Sequence, residues 1–470
     1  MQSDAPSVRA ALEYARANAA RFTTRLAELV RFASVSGDAS RRDDVRLCAE
    51  WLVRTLRTIG LPHARLIETS GAPLVFASLR RSAPNGRATI LVYGHYDVQP
   101  PGPSAEWHSP PFTPTIRDGA VVGRGASDDK GQLLAHVNAI ESWIHTAGEL
   151  PVNVVCLFEG EEEIGSPALR RFLRTHGPRL GVQAAIISDT RMRAVDRPAI
   201  TYALRGKMRI ELVVLRRGRE VHAGEFAGAV FDPARALASI VASLHEPGGR
   251  IAVDGFHDSI RVASAAERTY MKRVGPSDAE ILGSGGLEPA PETCERSLYE
   301  RTTLDPAISV TELQAGDAGE HGKSAIPART SAMLDLRLVA GQDPRRIAQL
   351  VRTHARRFAP PGAHVALRIR SASPALVLDP RNAALRAGAR AAEATFGRPV
   401  VFLRSGGTIP VVDTLASLGI PTVLLGFALA DDGMHAPNER FGVRRFAQAT
   451  ECAIRFLAEA GRTLSPRPLQ

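Results

Sequence analysis

The sequence has no long hydrophobic run, and it contains few cysteines. No apolar stretch approaches the roughly 18 residues that a membrane-spanning helix needs. The first 22 residues include an acidic residue and no apolar core of signal-peptide length. The four cysteines form no CxxC pair, which argues against a cysteine zinc site or a disulfide scaffold and fits a reducing compartment. We therefore expect a soluble cytoplasmic protein without a membrane partner.

Lysine and aromatic residues are also scarce. Only four of the 59 basic residues are lysines, and aromatic residues make up 5% of the chain. The formal net charge of +10 comes from arginines spread along all 470 residues, whereas a nucleic-acid-binding protein is expected to cluster its basic residues among aromatic ones. We therefore predict no nucleic-acid partner. The rest of the composition, with 44% hydrophobic and 23% charged residues, is typical of a globular protein.

Short apolar runs alternate with helical patterns over the first two hundred residues, which is typical of a parallel α/β sheet. The runs ATILVY, VNVVCLF and AAIIS predict buried strands at 88–93, 152–158 and 184–188, and a helix is predicted at 131–146. The same pattern returns after Leu378, with a further buried run, TVLLG, and a C-terminal helix.

The segment between these two parts has a different pattern. Apolar and polar residues alternate over Ser331–Val339, which predicts a strand with one buried face. One helix is predicted to begin at Pro233 and another to include Ile347, and the irregular Gly/Pro-rich segment Gly255–Thr303 is interpreted as a long loop. We infer an α+β domain inserted into an α/β domain. The predicted division is 1–202, 203–380 and 381–470.

Histidine or acidic residues follow each of the four buried strands of the α/β part. In open parallel sheets, ligands bind beyond the carboxyl ends of the strands, so we expect these side chains to meet at one edge. The residues are His95, Asp97, the acidic run 159–163, Asp189 and His435, together with Asp128 in the loop before the helix at 131–146.

Each of these residues has an ordinary structural explanation when it is considered alone. Asp128 could cap a helix, Asp189 could be a turn residue, and the acidic run could be a solvated turn. Taken together, however, carboxylates at one edge repel one another, and divalent cations would relieve this repulsion. Two histidines with several carboxylates suit a catalytic zinc site, with manganese or cobalt as possible substitutes.

Five segments resemble, in order, the signature segments of the cocatalytic zinc peptidase family. They are GHYDVQP, GRGASDDKG, EGEEEIGS, ISD and MHAPNE. The family includes carnosinases, nonspecific dipeptidases, glutamate carboxypeptidases, aminoacylases, and acetylornithine and succinyl-diaminopimelate deacylases. The segment 93–132 is most similar to the dipeptidase branch. The resemblance implies an α/β catalytic domain with a mainly parallel sheet flanked by helices, and an inserted α+β domain that acts as a lid and forms a homodimer.

The resemblance also implies two zinc ions per chain and assigns their ligands. His95 and Asp189 would hold one ion, Glu163 and His435 would hold the other, and Asp128 would bridge both.

Three further residues receive catalytic roles from the resemblance. Asp97 would orient the imidazole of His95. Glu162 would be the general base, because EEEIGS aligns with the family's acidic-Glu-Glu-x-Gly pattern; a register shifted by one residue remains open. His222, in the segment VHAG, would reach the active site of the partner subunit and stabilise the oxyanion. Without the family, His222 would be interpreted as a solvated loop residue.

Substrate-binding residues are implied in two more segments. Arg337, in LRLV, matches an arginine that would bind a substrate carboxylate. Gly406, Gly407 and Thr408, in RSGGTIP, resemble the family's Gly-Gly-Ser/Thr loop, which also holds that carboxylate. The segment SAIP at 324–327 matches its family counterpart only in part.

The leading hypothesis is therefore a dizinc dipeptidase that acts on dipeptides or similar small substrates with a free carboxylate. One alternative is an N-acyl- or N-carbamoyl-amino-acid amidohydrolase, which uses the same chemistry with a different pocket. A second alternative is a binding protein that has lost catalysis, which the complete set of ligands and the presence of Glu162 disfavour.

Overall fold

The computed structural model of the protein describes residues 4–80, 86–288, 296–316 and 322–465. Its first part contains three helices followed by alternating strands and helices. In chain order these are α1 (Pro6–Ala17), α2 (Ala19–Val30), α3 (Arg42–Thr58), β1 (Arg65–Ile67), β2 (Leu74–Leu79), β3 (Thr89–His95), β4 (Thr115–Arg117), β5 (Ala120–Val122), α4 (Gly131–Ala147), β6 (Asn153–Glu159), α5 (Pro167–His176), β7 (Ala184–Ile187) and β8 (Ala199–Leu204).

The middle and the last part contain the remaining elements. In the middle part these are β9 (Gly206–Leu215), β10 (Val221–His222), α6 (Ala223–Phe226), α7 (Pro233–Ser243), α8 (Ala265–Val274), α9 (Asp278–Ser284), α10 (Leu298–Leu304), β11 (Ala307–Ala315), β12 (Ala325–Ile326), β13 (Arg329–Leu338), α11 (Pro344–Arg357), β14 (His364–Ser373) and β15 (Leu376–Val377). The last part contains α12 (Ala383–Phe396), β16 (Val401–Ser405), α13 (Pro410–Ser417), β17 (Thr422–Leu424), β18 (Arg440–Gly442) and α14 (Val443–Thr463). None of the described helices is both long enough and apolar enough to cross a membrane.

Six strands form the main sheet, in the order β1-β2-β6-β3-β7-β17. The strands β6, β3, β7 and β17 run parallel, whereas β1 and β2 pair antiparallel at one edge. Helices cover both faces of the sheet: α1, α4, α12 and α14 contribute to one hydrophobic core, and α5 and α13 contribute to the other. This architecture confirms the predicted α/β fold class with a mainly parallel sheet flanked by helices.

The segment of the central strand β3 is almost continuously apolar because both faces of the strand are buried. Ile90 and Val92 pack into one core, while Leu91 and Tyr93 pack into the other. Successive side chains of a strand point to opposite faces, so a strand covered on both faces needs apolar residues at every position. All seven residues of β3 are buried. The strand ends at His95, which delivers a polar side chain to the carboxyl edge of the sheet.

The second sheet is antiparallel, in the order β11-β13-β9-β14. Alternate residues of β9 and β13, with side chains from α7 and α11, form a separate hydrophobic core on one face of this sheet. The strand predicted at Ser331–Val339 is β13, and its alternation arises because its other face carries Asp335 and Arg337. The α+β character inferred for this segment therefore agrees with the structure, in which two helices cover one face of an antiparallel sheet.

The interpretation of Gly255–Thr303 as a long loop was wrong, because its described residues include the three helices α8, α9 and α10. These helices are too short to show a clear apolar period. A serine followed three residues later by a glutamate instead marks the start of each helix in the sequence. The side chains of Ser264, Ser277 and Ser297 each accept a hydrogen bond from the backbone N–H of that glutamate. Cys294 lies outside the described residues.

Helices α8 and α10 pack near β16 rather than on the four-stranded sheet. Val274 shares a small hydrophobic cluster with Ala199 and Val401, and the backbone N–H of Arg404 donates to the hydroxyl of Tyr299 at 2.8 Å. Strand β16 belongs to a three-stranded sheet in the order β15-β8-β16. Part of the range 203–380 therefore packs against the α/β part of the chain.

Two backbone segments approach each other closely beyond the ends of β7 and β17. We therefore predict that a residue at this approach is sensitive to substitution. A Cβ added to Gly426 would overlap the carbonyl group of Thr190. We therefore expect Gly426→Ala to lower the free energy of unfolding in urea by about 1–3 kcal/mol, as overpacking does elsewhere. A Cβ added to Gly248 meets nothing within 4 Å, so Gly248→Ala is the control. Equal stability of the two variants would contradict this prediction.

Candidate metal centre and substrate cleft

The carboxyl edge of the main sheet brings together the ligand-type residues that the sequence analysis singled out. His95 ends β3, Asp189 follows β7, and His435 lies in the loop between β17 and β18. Asp128 lies in the turn before α4, and Glu163 lies in the single turn that follows β6. Five segments that are far apart in sequence therefore contribute to one site.

The carboxylate of Asp128 lies between the two histidines. Its Oδ1 is 3.1 Å from Nε2 of His95, and its Oδ2 is 2.9 Å from Nε2 of His435. On one side, Asp189 Oδ2 is 3.9 Å from His95 Nε2. On the other side, Glu163 Oε1 is 3.4 Å from His435 Nε2. The arrangement thus has two halves that share Asp128.

Two triads of ligand atoms are compact enough to hold a cation each. The ligand atoms of His95, Glu162 and Asp189 lie within 4.8 Å of one another, and so do those of the second triad, Asp128, Glu163 and His435. Among the described residues, Glu163 Oε1 is a buried atom without a hydrogen bond. Imidazoles and carboxylates are suitable ligands for zinc, and an orphaned buried oxygen is expected where a cation belongs. The residues present therefore fit a centre of two divalent cations.

The pKa values of the site show an excess of buried negative charge. Burial, assisted by neighbouring carboxylates, raises the pKa values of Glu162 and Asp189 well above their usual range. Burial has the same effect on Asp129, whose pKa is raised to about 8. The neighbouring carboxylates of Asp128 and Glu163 raise the pKa of His435 to about 10. The site therefore favours positive charge, which divalent cations would supply in place of protons on the histidines.

Asp97 contacts residues of both halves of the centre. It lies near Nδ1 of His95, whereas Asp128 lies near Nε2 of the same ring. Asp97 Oδ1 is 3.3 Å from His95 Nδ1, and its carboxylate accepts hydrogen bonds from the backbone N–H groups of Glu162 and Glu163 at 3.2 and 3.1 Å. It therefore fixes both the ring of His95 and the acidic turn. Gln99, which the sequence analysis did not identify, donates from Nε2 to Glu163 Oε2 at 2.8 Å.

Glu439 is a second residue that the sequence analysis missed. Its buried carboxylate accepts hydrogen bonds from the guanidinium of Arg124 at 2.7 Å and from the backbone N–H groups of Gly125, Ser127 and Asp128, each at 2.9 Å. It thereby joins the loop of His435 to the loop of Asp128. Glu439 is the final residue of the segment MHAPNE, but nothing in that segment indicates partners more than 300 residues away.

The centre opens into a cleft of about 1280 Å³ between the main sheet and the four-stranded sheet. Gly406, Gly407 and Thr408, for which a substrate-binding role is predicted, line this cleft. Arg337 is not among its lining residues, and its Nε is 3.0 Å from Asp335 Oδ1.

His222 also lies away from the lining of this cleft, and its side chain is exposed. It is the last residue of β10, which pairs with β12 in the register His222 to Ala325. The segments VHAG and SAIP, which are about 100 residues apart in sequence, are therefore neighbours.

The anchoring of Asp128 by Glu439 leads to a prediction. An amide group cannot accept hydrogen bonds through its nitrogen, so Glu439→Gln leaves buried donors, including the charge of Arg124, without a partner. We expect the free energy of unfolding in urea to fall by about 3 kcal/mol or more, and the metal content after dialysis to fall with it.

The matched control for this prediction is Glu68→Gln, which removes an exposed ion pair with Arg46 and should change stability by less than about 1 kcal/mol. If the two variants had the same stability and the same metal content, Glu439 would have no anchoring role.

Comparisons with known proteins agree with this fold and site. The chain is 27% identical over 455 residues to the Cys-Gly metallodipeptidase DUG1 of Saccharomyces cerevisiae, with 93% of this chain and 95% of the relative covered. The structure of human carnosine dipeptidase 1 matches with a TM-score of 0.83 and 25% identity, covering 98% of this chain and 100% of that one.

A further solved structure is similar to the same extent. The metallo-carboxypeptidase Sso-CP2 from Sulfolobus solfataricus matches with a TM-score of 0.84 and 29% identity, covering 94% of this chain and 99% of that one. The sequence model of peptidase family M20/M25/M40 matches residues 91–459. This match spans most of the chain and confirms the resemblance predicted from the five segments, and the protein therefore belongs to peptidase family M20/M25/M40.

Proposed function

We propose that the protein is a metal-dependent dipeptidase that hydrolyses the peptide bond of dipeptides or similar small substrates with a free carboxylate. The observation that carries this proposal is the position of Asp128 between two halves that each contain a histidine and a carboxylate and that open into one cleft. Relatives that are named as metallodipeptidases and carnosine dipeptidase support the substrate class. The same similarity favours a dipeptidase over an N-acyl- or N-carbamoyl-amino-acid amidohydrolase.

The cofactor is proposed to be two zinc ions per chain, with manganese or cobalt as substitutes. His95 and Asp189 would hold one ion, Glu163 and His435 the other, and Asp128 both. When bound, the two cations lower the pKa of water and polarise the carbonyl of the scissile bond. The shared position of Asp128 between the two histidines supports its bridging role.

Glu162 is proposed as the general base that takes a proton from water and returns it to the leaving amine. Its carboxyl group is near His95, and its backbone N–H is held by Asp97. The turn that carries Glu162 is therefore fixed relative to the ring of His95. Asp97 would orient this ring through Nδ1.

The substrate carboxylate is proposed to bind to the loop formed by Gly406, Gly407 and Thr408, and to the guanidinium of Arg337. The loop lines the cleft, whereas Arg337 lies on the open face of the four-stranded sheet, two residues from Asp335. Its role requires that this sheet approaches the metal centre when substrate binds. Such a lid function fits the proposed division into 1–202, 203–380 and 381–470.

The protein is also proposed to act in the cytoplasm as a homodimer that forms through the inserted domain. The free, buried cysteines Cys48, Cys156 and Cys452 are compatible with a reducing compartment. Because His222 is exposed and lies away from the cleft of its own chain, it is available to complete the active site of a partner subunit.

A panel of dipeptides and N-acetyl amino acids tests the reaction and the assignment of the acidic turn. We expect the wild type to hydrolyse dipeptides in preference to N-acetyl amino acids and to bind about two divalent ions per chain. Glu162→Gln should abolish turnover and retain the metal, because it removes a base. Glu163→Gln should lose metal, because it removes a ligand. Turnover and elemental content are measured on the same samples.

The reverse pattern, with metal lost from Glu162→Gln and retained by Glu163→Gln, would show that the acidic turn is assigned one residue out of register. A folded wild type with only trace metal after reconstitution would contradict the metal centre. Preferred turnover of N-acetyl amino acids would instead favour the amidohydrolase.

Mixed dimers test the proposed role of His222. His222→Ala and Glu162→Gln chains, each nearly inactive alone, should regain about a quarter of wild-type activity when they are refolded together in equal amounts, because half of the dimers are mixed and have one complete site. That site combines Glu162 of one chain with His222 of the partner subunit. The control is each variant refolded alone. A fully active monomer at high dilution, or the absence of rescue in verified mixed dimers, would show that His222 has no role in the active site of a partner subunit.

A further inference from the structure

The charged side chains that line the cleft outside the metal centre are mostly paired. Three arginines of the lining each form an ion pair with a carboxylate, and Asp431, an acidic residue of the lining, is held by Arg440 at 2.8 Å. These four charges are therefore already compensated, whereas Arg191, which also lines the cleft, is exposed and makes no ion pair among the described residues. The three arginine pairs are Arg170–Asp413 at 3.1 Å, Arg193–Glu280 at 2.8 Å and Arg404–Glu267 at 2.7 Å.

Lys207 and Arg209 are different, although they line the same cleft. Both are half-buried, and within the described ranges neither makes an ion pair or a side-chain hydrogen bond. They are two residues apart on β9, so they point to the same face of the sheet. Their neighbour Met208 points into the hydrophobic core on the other face. The strand thus presents two uncompensated cations to the cleft.

The neighbouring strands do not neutralise these two cations. Lys207 lies opposite Arg337 and Ser373, and Arg209 lies opposite Asp335 and Ser371. Asp335 is the one carboxylate among these neighbours, and it is engaged by Arg337 at 3.0 Å. Lys207, Arg209, Arg337 and Asp335 together carry a net charge of about +2 at neutral pH.

Arg205, which lies two residues before Lys207, adds to the positive charge at this end of β9. Its guanidinium donates to the backbone carbonyl groups of Gly406 and Asp305 and pairs with no described carboxylate. Burial, and then the charge of Arg337, lower the pKa of Arg205 to about 10. One substrate carboxylate, bound by the Gly406 loop and Arg337, would leave Lys207 and Arg209 without an anionic partner.

We propose that Lys207 and Arg209 determine specificity for dipeptides that carry a second carboxylate, in the side chain of an aspartate or glutamate. This inference rests on the proposed dipeptidase function and extends it to a substrate class. A carboxylate between two cations in a partly desolvated cleft forms charge-assisted hydrogen bonds, which an isosteric amide forms only weakly. The residues act on the substrate side chain and not on the scissile bond.

Isosteric substrate pairs measure this specificity directly. The ratio of kcat/KM values is determined for Ala-Glu against Ala-Gln and for Asp-Ala against Asn-Ala, so that each position of the dipeptide is tested. In at least one pair, we expect the wild type to prefer the acidic member by about tenfold, which is the usual size of one charged hydrogen bond. The double variant Lys207→Met and Arg209→Met should lose most of this preference, mainly through KM.

Two comparisons make the result specific. The double variant Lys272→Met and Arg346→Met removes one lysine and one arginine that are exposed on α8 and α11, and it should keep the wild-type ratio. Lys207→Arg keeps the charge and should also keep most of the preference. A general electrostatic attraction depends on the net charge of protein and substrate, so both double variants would then weaken the preference to a similar extent.

The inference is overturned if the wild type shows no preference in either pair, or if the Lys207 and Arg209 variants change both members equally. If the wild type hydrolyses none of the four dipeptides, the proposed dipeptidase function fails. In that case, the Kd value of the wild type for each of the four dipeptides is measured by calorimetry. Equal affinities for the acidic and the neutral member of both pairs overturn the inference as well.

Discussion

Repulsion among buried carboxylates is the interaction on which the architecture of this site depends. The carboxyl groups of Glu162 and Asp189 lie near Asp128, and burial together with this neighbour raises their pKa values well above the usual range. Such groups ionise together only beside positive charge. His95 and His435 provide some of it through Asp128, and two cations would provide the rest. A sheet edge built only for stability would have apolar residues here, because buried charges are costly.

A second set of carboxylates is bonded to backbone N–H groups of the loops that carry the candidate ligands. Asp97 and Glu439 are buried, and each accepts hydrogen bonds from backbone N–H groups of the loops that carry the ligands. These donors stabilise a carboxylate without adding another charged side chain to the centre. The rigidity of the site therefore comes from backbone-to-carboxylate bonds that connect separate loops. The candidate ligands are thus held by residues that do not themselves belong to the proposed ligand set.

The sequence predicted much of this arrangement, since the strongest signals are local. The buried run at β3 and the alternation at β13 identify strands, and the five segments contain the candidate ligands that the structure brings together. Glu439 could not be assigned a role, because its partner Arg124 is 315 residues away in sequence. The helices α8, α9 and α10 were missed because a short helix on a polar surface lacks a clear apolar period, although the serine at the start of each one was a usable signal. Lys207 and Arg209 gave no signal at all, because only the pairing of the other charges in the cleft distinguishes them.

The packing of α8 and α10 near β16 has a mechanical consequence. The chain crosses between the four-stranded sheet and the α/β part four times: from β8 to β9, from α7 to α8, from α10 to β11, and from β14 to β15. Arg205, at the first crossing, donates hydrogen bonds to the carbonyl groups of Asp305 at the third crossing and of Gly406 in the loop 406–408. Four chain connections thus join the four-stranded sheet to the α/β part, and Arg205 links two of these connection regions to the Gly406 loop. Closure of the proposed lid would therefore also move the loop that is proposed to bind the substrate carboxylate, because one guanidinium is bonded to both.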